Sequence, residues 1–116
     1  MVLSDDFHDR AQAAILPVDP ELVYKSSLST LSNMTGALIH RDDDLMAART
    51  LVDYGNVTIQ VREIAVGETE IRVRGEKALL YNAELSALVL DRITNDLKAI
   101  RRDSSAVPTA AMARRR

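Results

Sequence analysis

Between Asn56 and Arg74 the chain reads NVTIQVREIAVGETEIRVR, two alternating segments facing each other across Gly67. Val57, Ile59 and Val61 recur at every second residue, and Ile71 and Val73 answer them, which is the period of strands with one buried face. The spacing predicts an antiparallel hairpin with one apolar and one charged side. Such a ribbon is marginal in water on its own, so the rest of the chain must cover its apolar side. Glu63-Ile64 interrupts the alternation and predicts a bulge or strand end. Gly75 is expected to close the second strand.

Two segments have the pattern of covering helices. Asp19-Pro20-Glu21 is a strong helix start, because Asp caps, Pro at the first helical position lacks only an N–H that would be unpaired anyway, and Glu favours the first turn. This helix is expected to run to about Asn33 with Tyr24, Leu28 and Leu31 on one face, and Ser26 and Ser27 small enough for close approach to a sheet. Asn82 is placed to cap the second helix, where Ala83, Ala87, Leu90, Ile93, Leu97 and Ile100 form a stripe at helical spacing. Between them, Ala37 to Arg41 reads as a short strand, Asp42-Asp43-Asp44 as a turn, Met46 to Val52 as a further strand, and Tyr54-Gly55-Asn56 as the turn into the hairpin.

At the start, Ser4 followed by Asp5 and Asp6 resembles a capped first turn. Phe7, Ala11, Ala14 and Ile15 then predict a short amphipathic helix ended by Pro17, either a lid on the core or a docking helix for a partner. From Asp103 onward periodicity is lost, which predicts a disordered basic tail. The predicted organisation is an N-terminal helix and linker over 1–18, one domain over 19–102 and a tail over 103–116. The fold class is α+β: an antiparallel three- to four-stranded meander with two helices packed on one face and a short N-terminal helix.

Composition narrows the function classes. The 116 residues suit one domain, and 47% hydrophobic with 28% charged residues is the make-up of a globular chain. Absence of Cys excludes disulfides, thiolate metal sites and thiol nucleophiles. No segment has the roughly 20 apolar residues of a membrane span. As written, the chain begins without an export signal, which fits a cytoplasmic protein; an upstream lipoprotein signal would make it periplasmic or envelope-bound. Through Ile100, ten basic residues face sixteen acidic ones, and from Arg101 five arginines face Asp103. The acidic body repels nucleic acid, so contact with nucleic acid is expected only through the tail.

No catalytic, cofactor-binding or metal-binding residue stands out. Ile39-His40-Arg41-Asp42 spells the start of a protein-kinase catalytic loop, but the downstream Asn and the Gly-rich phosphate loop are missing. Asp42, Asp43 and Asp44 lack the spacing, the Gly and the closing Glu of a calcium loop, and His8 and His40 have no fixed spacing to them. Ser26, Ser27 and Ser29 belong to no nucleophile-elbow pattern. Asn33-Met34-Thr35 and Asn56-Val57-Thr58 match the glycosylation triplet, which is common by chance.

The exposed strand face is the best candidate. Thr58, Gln60, Arg62, Arg72 and Arg74 share it, with Arg49 adjacent, and the arginines offer a basic patch to a carboxylate, an anionic surface or an acidic partner. Against this, Glu63, Glu68, Glu70 and Glu76 are placed to neutralise them in cross-strand pairs. The expected function is a non-enzymatic binding or structural module that contacts a protein partner, or a second copy of itself, through a sheet face or edge. The alternative is an adaptor whose tail arginines, Arg101, Arg102, Arg114, Arg115 and Arg116, bind nucleic acid or anionic membrane.

Over roughly Pro20 to Leu97 the chain also resembles a family of small, uncharacterised bacterial envelope lipoproteins. The resemblance rests on Val23 and Leu31 in a first helix, Val57-Thr58-Ile59-Gln60-Val61 and Thr69-Glu70-Ile71-Arg72-Val73-Arg74 in successive strands, and Ala87, Leu90 and Ile93 in a closing helix. It implies a single α+β domain exported by a lipoprotein signal, and no catalytic residues. The chain departs from that family in lacking a signal peptide and the Cys that carries the lipid.

Overall fold

The computed structural model describes residues 10–115, with the helix backbone alone beyond Ile100. In chain order the elements are β1 (Gln12–Leu16), α1 (Pro20–Met34), β2 (His40–Asp42), β3 (Ala47–Val52), β4 (Gly55–Ala65), β5 (Glu68–Lys77), β6 (Leu80–Tyr81) and α2 (Ala83–Arg115). The six strands form one antiparallel sheet in the order β1-β5-β4-β3-β2, with β6 also on β5. Both helices cover one face.

The hairpin at the centre forms as its alternation dictates. Ile59 lies opposite Val73 and Val61 opposite Ile71, and these residues, with Val57, are buried. The register shifts between Glu63 and Ala65, the bulge that the broken alternation signals. Gly67 takes φ +75°, the left-handed conformation its turn requires.

α1 begins at Pro20 and buries Val23, Tyr24, Ser26, Ser27, Thr30 and Leu31. Asp19 has the extended backbone of an N-cap, although its side chain makes no capping bond. Thr30 donates from Oγ1 to Asp96 Oδ2 at 2.8 Å, which joins α1 to α2.

α2 is docked at its start by a chain of short bonds. Asn82 Oδ1 accepts from the Leu85 N–H at 2.8 Å, Asn82 N–H donates to the Gly75 carbonyl at 2.7 Å, and Gly75 N–H donates to Ser86 Oγ at 2.7 Å. Leu85 then presses onto the sheet where it has no side chains: a Cβ at Gly75 would lie 2.8 Å from Leu85 Cγ, and one at Gly55 2.6 Å from Leu85 Cδ2. The buried face of α2 therefore starts with Leu85, Ser86 and Val89, not with Ala83 and Ala87, and continues as expected through Leu90, Ile93 and Leu97.

Three expectations are corrected. The sheet has six strands, not three or four, because β1 adds to the edge of β5 and because β5 runs through Gly75 to Lys77 and turns back into β6. Gly75 thins the strand so that Leu85 fits, and does not end it. The expected N-terminal helix is not formed where it is described: Gln12–Leu16 is a strand paired with Thr69–Val73. Five residues of the type Gln-Ala-Ala-Ile-Leu fit either period, and the open edge of β5 decides the matter by taking Ala14 and Leu16 against the core. Ser4, Asp5, Asp6, Phe7 and His8 lie outside the described residues. The helical backbone of α2 runs to Arg115.

Candidate interaction surface

Antiparallel register sets the open face in rows, since directly opposed residues point to the same side. His40, Arg49, Thr58 and Arg74 make one row, and Asp42, Ala47, Gln60, Arg72 and Ala13 the next. Arg62, Glu70 and Ile15 make a third. All four arginines expected on this face, Arg49, Arg62, Arg72 and Arg74, are therefore brought together.

An open groove of about 340 Å³ runs between Thr58, Gln60, Arg62, Arg72 and Arg74, with Arg10 and Ala11 as its further wall. Arg74 is held from several sides. It bonds to Glu76 Oε2 at 3.1 Å and to the Arg10 carbonyl at 2.9 Å, and lies 5.6 Å from the Tyr81 ring centre. Gln12 in turn donates to the Tyr81 hydroxyl. Arg62 bonds to Glu70 at 2.8 Å across the hairpin. Of the glutamates expected to neutralise the face, Glu70 and Glu76 are so used. Arg10, Gln12 and Tyr81 were not legible as part of this surface, because β1 and β6 had no strand signal of their own.

A second polar cluster joins α1 to the turn after β2. The Tyr24 hydroxyl donates to Asp43 Oδ1 at 2.8 Å, and Arg41 bonds to both oxygens of the same carboxylate. Burial first, and then the Asp43 carboxylate, raise the Tyr24 hydroxyl above its ordinary pKa. The bond from Arg41, and then that from Tyr24, hold Asp43 below the ordinary carboxylate range. A carboxyl lowered in this way supports the fold above its unfolded pKa and loses that support as pH falls through the lowered value. These bonds join α1 to the turn after β2.

Among the described residues no three His, Asp or Glu side chains gather to hold a metal ion, and no helix is long and apolar enough to cross a membrane. The side chains of Arg101, Arg102, Arg114, Arg115 and Arg116 lie outside the described residues. No protein-family model matches the chain, and no curated protein matches it.

Proposed function

We propose that this protein is a non-enzymatic binding module that meets a protein partner through the open, arginine-bearing face of its sheet. One observation carries the reading: charge is segregated on an otherwise acidic body. Arg10, Arg49, Arg62, Arg72 and Arg74, half of the ten basic residues before Arg101, border that face, whereas of the thirteen acidic residues among the described ones before Arg101 only Asp42, Glu68, Glu70 and Glu76 do. A field of this sign favours an acidic segment over a basic one, and strands with a groove between their side chains suit an extended chain.

The β1 edge adds a second route to a partner, or to another copy. Gln12–Leu16 contains no charge and no proline to discourage further pairing, whereas the opposite edge, β2, is His-Arg-Asp. Envelope association enters the reading only through the family resemblance, supported by the order helix, strands, helix from Pro20 onward; the gene sequence upstream of Met1 tests it.

The test of the face is an amide NMR titration of the full chain with a short oligoglutamate peptide. Shifts are expected at Thr58, Gln60, Arg62 and Arg72, and their loss in the double variant Arg49→Glu, Arg72→Glu. Shifts confined to residues after Ile100 would transfer binding to the tail and remove the face from consideration.

A further inference from the structure

Two two-residue turns lie side by side at one end of the sheet. Asp53-Tyr54 joins β3 to β4, and Ala78-Leu79 joins β5 to β6. All four residues have positive φ, 51° and 64° in the first turn and 53° and 66° in the second. This is the hairpin geometry that normally selects Asn-Gly or Asp-Gly, because a side chain in the left-handed region crowds the following carbonyl. Here the Gly position of each turn holds a large side chain.

Neither side chain offsets that strain by packing. Tyr54 is 100% exposed and Leu79 83%, and Leu80, the next residue, is 67% exposed. Lys77 Nζ bonds to Asp53 Oδ2 at 3.2 Å, which holds the two turns against each other. Just behind them, exposed Leu38 and Leu51 share a groove with His40 and Arg49, and Arg49 stands in the row that ends at Arg74. The end of the sheet thus carries Tyr54, Leu79 and Leu80 around the Asp53–Lys77 pair, and behind the row of Leu51, Asn56 and Glu76 stands the row of Arg49 and Arg74.

We propose that this end is a docking surface for an anionic bilayer, with Tyr54, Leu79 and Leu80 entering the lipid interface and Arg49 meeting headgroup phosphates in the field of Arg72 and Arg74. Area and shape select the occupant. Three side chains on convex turns fall far short of the roughly 800 Å² per partner of a stable protein interface, so a second copy is poorly served. A bilayer needs no shape complement, takes leucine below the headgroups and tyrosine among them, and gains from nearby guanidinium when its lipids are anionic. Arg49 lies four residues from the turn, about 13 Å along the strand, within reach of headgroups for a sheet that enters obliquely.

The experiment is co-sedimentation of the full chain with vesicles of phosphatidylcholine alone and of phosphatidylcholine with phosphatidylglycerol at about 3:1. Binding is expected to the mixed vesicles and to weaken as salt rises. The double variant Tyr54→Gly, Leu79→Gly relieves the left-handed strain, so its Tm is expected to rise while its partition coefficient falls at least about tenfold. That pairing separates a docking role from a structural one, since a lower Tm would show the side chains supporting the fold and overturn the proposal. It is also overturned by wild-type chain that stays in the supernatant with both vesicles, or by unchanged binding of the glycine variant. Binding lost on deletion of 101–116 but kept in the glycine variant would assign the lipid to the tail. Self-association without lipid that the glycine variant abolishes would assign the turns to a second copy.

Discussion

The two faces of the β4–β5 hairpin are made by alternate residues of the same two strands, yet they answer to different physics. On the covered side Val57, Ile59, Val61, Ile71 and Val73 are at most 1% exposed, and the fit is tight enough that Leu85 occupies the space two glycines leave. On the open side Thr58, Gln60, Arg62, Arg72 and Arg74 line an open groove, where Arg62 is solvated at its pair with Glu70 and Arg74 is half-buried at its pair with Glu76. Shape governs the first face and charge the second. Packing and surface charge are therefore written at alternate positions, and each can be altered with little effect on the other.

The largest effect that bears on this contrast is expected from Ile59→Ala. Removing a fully buried side chain between the sheet and the helices should cost about 2–5 kcal/mol, read from the midpoint of urea unfolding with an unchanged slope. A loss below about 1 kcal/mol would mean that the covered face is not the core. Next comes Gly75→Ala, whose Cβ would sit 2.8 Å from Leu85 Cγ and 3.0 Å from Leu85 Cβ. Overpacking of this kind should cost about 1–3 kcal/mol. Adding Leu85→Ala should recover part of it, because the two sites share one contact. The smallest effect is expected from Arg62→Gln. Arg62 is 62% exposed at its ion pair with Glu70, and such pairs are worth under about 1 kcal/mol. A larger loss of stability there would erase the division between the faces.

How far the sequence reveals this arrangement depends on the element. Where an apolar stripe is long and regular, as in Val57–Val61 and Leu90–Leu97, periodicity alone locates the element and its buried face. The proline at Pro20 and the cap at Asn82 mark helix starts to the residue. Short segments escape that logic: Gln12–Leu16 suits two periods equally, and only an unpaired β5 turns it into a strand. The turn at Ala78-Leu79 is hidden for a different reason, since neither residue is one that left-handed backbone normally selects. Leu85 was missed because its burial is decided across space, by glycines 30 and 10 residues earlier in the chain. The arginine face was legible in outline. Its wall at Arg10 and Ala11 was not, because it arrives with β1.

Pairing of β1 with β5 has a consequence for synthesis. Leu16 is made first, and its partner Thr69 follows after roughly 55 residues, a delay of about 3–11 seconds at ordinary elongation rates. Throughout that interval Ile15 and Leu16 have no ladder to join, and the hairpin that will receive them has not left the ribosome. β1 therefore leaves the ribosome with its backbone unpaired and can join the sheet only once β5 has followed it.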